Sequence, residues 1–190
     1  GKRGPQLLPK AFAHDSLQML ASLEALERID AQLTLFGHGE PWEQSPAEAV
    51  GEERVGQHLG YSDYVEITQE QVNRFADATG DHQWIHVDPD EASKGPFGTT
   101  IAHGYLTLSL VPQLIWQIYD VKGIKMGVNY GAEKLRFPAP VPVDSKVRAG
   151  VELLSVVPMG PGHKVNALVT LEREGGDKPV CVVETVSILA

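Results

Sequence analysis

A single cysteine, Cys181, stands in this chain of 190 residues. One thiol excludes an intramolecular disulfide and any cysteine-pair zinc cage, and it fits a reducing cytosol. Cys181 lies among Val180, Val182 and Val183 and reads as core packing. Basic residues are outnumbered, 16 Lys and Arg against 25 Asp and Glu, for a formal net charge of -9. That balance argues against general binding to nucleic acid or to an anionic membrane. No apolar run is long and uninterrupted enough to read as a membrane span. No secretory h-region opens the chain, and Gly1 in place of Met points to processing or a cloning scar. What remains is enough chain for one domain with a real core plus an appendage.

The appendage is residues 1–50. Leu17, Leu20, Leu23, Leu26, Ile29 and Leu33 predict a helix from Ser16 to Leu35, with Gly37 as its stop. A polar connector follows to about Gly51, with Pro41 and Pro46 inside it. Residues 51–190 form the second unit. There Val147, Ala149, Val151 and Leu153 alternate with Lys146, Arg148, Gly150 and Glu152, the pattern of a half-buried strand. Val165, Ala167, Val169 and Leu171 repeat it, with turns at 159–162 and 175–177. Ile124 to Phe137 and Val180 to Leu189 are two further strands.

The residues that carry chemistry cluster upstream of these strands. Thr68 and Gln71 form a capping box that opens a helix, and Gly80 is placed to end it. Val72, Phe75, Ala76 and Thr79 give that helix one buried face. Asp81, His82, His86 and Asp88 follow within eight residues, and Pro89 keeps a new helix from forming early. A histidine titrates near neutrality, and a carboxylate beside it can share a water, orient it and help move its proton. Residue types alone equally allow a turn-capping Asp81 and a structurally satisfied His86. They also make Asp81, His82, His86 and Asp88 conceivable metal ligands, but no zinc-binding spacing accompanies them, and no metal is expected.

A second motif runs through Gly95-Pro96-Phe97-Gly98 and Ile101-Ala102-His103-Gly104 into an apolar stretch ending at Trp116. This predicts a Gly-rich loop feeding one long helix, apolar on nearly every face and therefore buried. Gly104 at its start lets a ligand carbonyl approach unpaired amides, although close helix packing would equally call for glycine. His103 reads first as a structural hydrogen-bonding residue. A buried helix followed by antiparallel strands is an α+β arrangement in which the sheet wraps the helix.

Together, Gly80-Asp81, His86, Asp88 and Ile101-Ala102-His103-Gly104 resemble the hydratase motif of the MaoC-like dehydratases, the (R)-specific enoyl-CoA hydratases of the hot-dog superfamily. The resemblance extends through Gly127–Gly131, Lys134–Pro138 and Pro140–Val143, covering about residues 52 to 190. It implies a hot-dog fold, an antiparallel sheet around a long central helix, pairing across a homodimer. It implies reversible hydration of a trans-2-enoyl-CoA to a (3R)-3-hydroxyacyl-CoA. Asp81 and His86 are then the catalytic pair and the Gly104 amide the oxyanion donor. Gln83, Trp84, His103, Lys134 and Arg136 are expected to contact substrate, with Lys125 and Arg148 as further basic candidates for CoA. No cofactor is needed, since CoA belongs to the substrate. Gln83 and Trp84 stand where many members carry asparagine and proline, so Gln83 would take over the amide role. Two other classes fit less well. A hot-dog thioesterase commonly carries a helix carboxylate, and none lies between Ile101 and Tyr119. A non-catalytic acyl-thioester-binding protein would not need both Asp81 and His86.

Overall fold

The computed structural model describes residues 34–35 and 54–190, apart from 123 and 161. The rest of the expected N-terminal helix and its connector lie outside the described residues. Its last two positions, Thr34–Leu35, form a strand (β1) rather than a helix end, antiparallel to Val121–Lys122 (β4). The ladder supplies the backbone partners that a final helical turn leaves unpaired.

The main sheet has six antiparallel strands. These are β2 (His58–Tyr61), β3 (Val65–Glu66), β5 (Gly127–Arg136), β6 (Lys146–Met159), β7 (Gly162–Arg173) and β8 (Pro179–Leu189). They run in the order β2-β6-β7-β8-β5, with β3 also on β6. The alternation read from the sequence sets which face is buried. Val147, Ala149 and Val151 of β6 and Val169 and Leu171 of β7 are each 0% exposed. The turns fall where glycine permits them, with Gly160 at φ 60° and Gly175 at φ 69°. β5 is shorter than the expected strand from Ile124. It is also bent near its end, where Lys134 takes φ 49° and the register slips between Glu133 and Arg136.

Helix α1 (Gln69–Thr79) covers one end of that face. Its capping box is formed, with Thr68 Oγ1 accepting from the Gln71 amide at 3.3 Å and Gln71 Oε1 from the Thr68 amide at 2.9 Å. Gly80 closes it at φ 79°, donating to the Ala76 carbonyl at 2.8 Å. Its buried face is narrower than the spacing predicts. Val72 and Ala76 are buried and Phe75 is half-buried, whereas Thr79 is exposed and bonds back to the Phe75 carbonyl.

The expected long helix is split into α4 (Gly104–Ser109) and α5 (Val111–Ile115). Pro112 explains the break, because it has no N–H for the Leu108 carbonyl and its ring crowds that oxygen. The segment is buried on one face only. His103, Thr107, Val111, Leu114 and Ile118 point inward, while Tyr105 is 66% and Trp116 77% exposed. Val111, Leu114 and Ile118 join the strand residues and Val72 in one apolar core.

Candidate active site

Between α1 and α4 the chain makes two single-turn helices, α2 (Trp84–Val87) and α3 (Pro89–Ala92). Pro89 does not delay a helix as expected. It sits in the first turn of α3, where its missing N–H costs nothing. Asp88 caps that helix, accepting from the Glu91 amide at 3.0 Å. His82 pairs with Asp77 at 2.9 Å on the surface, which raises its pKa through the hydrogen bond. The potential ligand cluster among the described residues is Asp81, His86 and His103, so His82 and Asp88 of the set conceivable from the sequence are not part of it.

His86 lies on α2 and is 7% exposed. Its Nδ1 is 2.7 Å from the Ile101 carbonyl. A carbonyl only accepts, so Nδ1 carries the proton and Nε2 keeps a free lone pair. Burial pushes its pKa below the ordinary histidine value. The Ile101 hydrogen bond opposes this, and the neighbouring His103 adds to it. At neutral pH His86 is thus a neutral imidazole able to take a proton. Asp81 sits in the loop after Gly80 with its carboxylate 56% exposed.

Ligand atoms of Asp81, His86 and His103 all lie within 4.8 Å of one another. One water hydrogen-bonded to two groups spans roughly 4.6 Å between them, so the spacing suits a shared water. The same three residues could in principle approach a metal ion. However, His103 Nε2 lies 2.9 Å from the Asp81 carbonyl and must donate to it. That commits His103 Nε2 to the backbone of Asp81 and leaves the Asp81 carboxylate and His86 as the groups that can share a water.

A cavity of about 380 Å³ opens beside His86, walled by Phe97, Ile101, Ala102, Gly104, Thr107, the 137–141 segment and Val180. Its lining is apolar apart from His86 and Thr107, which suits an aliphatic chain. The Gly104 amide is the first of α4, among the donors that no carbonyl of its own helix reaches. A Cβ on Gly104 would meet the Phe137 ring at 3.0 Å, so close packing uses the bare position as well. A larger cleft of about 620 Å³ lies between α4–α5 and strands β5 and β8. It contains neither Asp81 nor His86, and size alone does not mark the site.

The remaining expected contacts divide. Gln83 is exposed and gives its carbonyl to the His86 amide at 2.9 Å. Trp84 is 40% exposed and lies over Gly95, where a Cβ would come within 2.8 Å of the indole. His103 is buried behind His86. Lys134 and Arg136 stand on β5, outside the cavity lining. Lys134 pairs with Glu184 at 2.6 Å, and Arg136 bonds the Leu135 carbonyl. Arg148 pairs with Glu172 at 3.1 Å and lies over the Tyr61 ring.

Two residues that no motif flagged support His86 from behind. Gln69 Nε2 donates to the His86 carbonyl at 2.8 Å, and the buried Thr100 hydroxyl donates to Gln69 Oε1 at 2.5 Å. The Ile101 amide also donates to the Ile85 carbonyl at 2.9 Å. The position of Gln69 at the first residue of a capped helix was the sole available signal.

A family model described as MaoC like domain matches residues 50–174. The 3-hydroxyacyl-thioester dehydratase Z of Mycobacterium tuberculosis is 60% identical over 133 residues, covering 70% of this chain and 88% of that one. Nodulation protein N of Rhizobium leguminosarum bv. viciae is 39% identical over 139 residues, covering 72% and 86%. A solved structure of an (R)-hydratase from A. caviae involved in PHA biosynthesis superposes with a TM-score of 0.59 at 27% identity. It is matched over 96% of its length by 72% of this chain.

Proposed function

The chain belongs to the MaoC-like family of dehydratases, hydro-lyases of hot-dog fold, and on that footing we propose that it is an (R)-specific enoyl-CoA hydratase. The observation that carries this reading is the juxtaposition of Asp81 and His86, whose ligand atoms lie within 4.8 Å of each other, with His86 lining an apolar cavity. A trans-2-enoyl thioester enters with its chain in that cavity. Asp81 and His86 hold one water over C3. As the water oxygen bonds to C3, its proton passes to the pair, and the C2–C3 π electrons move toward the thioester carbonyl. The Gly104 amide donates to that oxygen where negative charge builds. The pair then delivers a proton to C2, so the water is added across the bond and the (3R)-3-hydroxyacyl thioester leaves. The two groups share that proton through the water they hold between them. No metal or redox cofactor enters this scheme.

The test is hydration of trans-2-enoyl-CoA followed at the enoyl thioester absorbance band. Asp81→Asn and His86→Gln each lower kcat by about two to four orders of magnitude while the protein stays folded. The double variant is little worse than either single one, because both act on one water. Near-native turnover by either folded variant overturns the assignment, and chiral analysis of the product checks the (3R) outcome.

Three further parts belong to this reading. CoA lies along the basic residues of β5, where Arg136 is freer than the Glu184-paired Lys134 to meet phosphate. The protein is a homodimer joined through β5, a ten-residue strand at the edge of the sheet among the described residues. Light scattering then gives twice the chain mass, whereas an active monomer excludes this assembly. Residues 1–50 are an appendage that supplies none of the catalytic groups and meets the body through the β1–β4 ladder. The enzyme works in the cytoplasm, in keeping with its one buried free cysteine; no helix among the described residues is long and apolar enough to cross a membrane.

A further inference from the structure

We propose that His103 is the positioning residue of the hydrating pair: its ring backs the His86 imidazole while its one N–H ties down the backbone of Asp81. This rests on the assignment of Asp81 and His86 given above, and it replaces the expectation that His103 touches substrate.

The hydrogen-bond chemistry of His103 is unusual. The side chain is 3% exposed, and Nε2 donates to the Asp81 carbonyl at 2.9 Å. The lone pair of the neutral ring is therefore on Nδ1, which is buried without a partner among the described residues. An orphaned buried acceptor is a cost that native structures seldom carry without reason. A glutamine would supply the same N–H at the same reach and could avoid the orphan. What imidazole adds is a flat face.

That face is in use. The His103 and His86 rings stack with centroids 3.8 Å apart and 26° between their planes. Phe75 of α1 packs on His103 at 5.0 Å. His86 is then fixed at Nδ1 by the Ile101 carbonyl and on its face by His103, and only the Nε2 edge is free. The N–H that holds the Asp81 carbonyl also faces its carboxylate, with Nε2 4.0 Å from Oδ2. That is too long for a hydrogen bond, but the N–H dipole still favours this side of the carboxylate. A single residue thus orients both halves of the pair.

Placement separates this role from substrate binding. Ala102 and Gly104, on either side of His103, line the cavity beside His86, and His103 does not. Its ring meets Phe75, Asp81 and His86. The titratable side chains facing His86 are Asp81, from the loop after α1, and His103, from the start of α4.

The experiment compares His103→Phe, which keeps a flat face and loses the N–H, with His103→Gln, which keeps the N–H and loses the face. Each is assayed for kcat and KM with trans-2-butenoyl-CoA, and His86 is titrated by NMR at its ring Cε1 proton. In His103→Phe, kcat falls by about 10- to 100-fold with KM little changed, because sub-ångström loss of alignment acts on turnover. His103→Gln recovers about a factor of ten of that loss, and its His86 midpoint rises because the neighbouring imidazole is gone. If the phenylalanine variant does not fold, His103→Asn, too short to reach the Asp81 carbonyl, carries the same expectation. A raised KM at unchanged kcat makes His103 a substrate contact and overturns the proposal. So does unchanged kcat with an unmoved His86 midpoint. Should the wild-type protein hydrate no enoyl thioester, the functional reading fails, while the NMR titration still decides the place of His103.

Discussion

The β6–β7 hairpin and the segment from Gly80 to Gly104 are held in place by different means. From Lys146 to Arg173 the chain relies on burial, with Val147, Val151, Val169 and Leu171 sealed in the core and a long antiparallel ladder between the strands. From Gly80 to Gly104 it relies on a few directed bonds. These are Gln69 to the His86 carbonyl, Thr100 to Gln69, His86 to the Ile101 carbonyl and His103 to the Asp81 carbonyl. Burial is not directional and scales with area, so it gives stability without demanding one geometry. Directed bonds add less net stability each but fix orientation. The hairpin is therefore where damage shows as unfolding, and the loop where it shows as lost turnover.

The largest effect that would test this contrast is in the hairpin. Leu171→Ala removes a side chain with 0% exposure and leaves a cavity, costing about 2–5 kcal/mol of stability in urea unfolding. Its kcat per folded molecule stays at the wild-type value. A large fall in kcat at that position would erase the distinction between the two regions.

A smaller, opposite pattern belongs to Gln69→Leu. The Thr100 hydroxyl and the His86 carbonyl lose their partner, which costs about 1–3 kcal/mol. The stronger sign is a roughly ten-fold fall in kcat at constant KM, as His86 loses its support and shifts by a fraction of an ångström. Equal losses in rate for Gln69→Leu and Leu171→Ala would mean that turnover simply follows stability.

The smallest effect is in pH. Burial holds His86 and His163 below the ordinary histidine pKa, one in each region. Below about pH 6.5 these two side chains bind protons more readily in the unfolded chain than in the folded one, so their contribution to stability falls with acid and is flat above. His163→Gln removes part of that fall in the urea midpoint without moving the acid limb of kcat/KM. The acid limb belongs to His86 and lies below the usual histidine range.

The two regions also differ in how far their sequence discloses them. Alternation in Val147–Leu153 and Val165–Leu171 marks the strands because a half-buried sheet imposes period two on every residue. The Thr68–Gln71 cap is equally legible, since its partners are three residues apart. Asp81 and His86 are visible as types in a motif. What orients them is not, because His103 meets Asp81 across 22 positions and Thr100 meets Gln69 across 31. No local periodicity reports such contacts. Apolar composition predicts one helix through Leu110 because it outweighs the one residue, Pro112, that lacks a donor. Tyr105 and Trp116 are exposed against that expectation, because an apolar side chain signals burial against something without saying against what.

One consequence follows from Trp84 lying over Gly95. The indole occupies the space where any side chain at position 95 would begin, so the two positions cannot vary independently. A relative with proline at the first position removes the indole from the second, where a Cβ then has the Ala92 carbonyl at 3.3 Å as its nearest remaining neighbour. A relative with tryptophan must keep it bare. Across aligned homologues this should read as covariation between a loop residue and a glycine eleven places later. Grafting the proline into this chain without refilling position 95 would leave a gap beside α3 rather than restore the commoner loop.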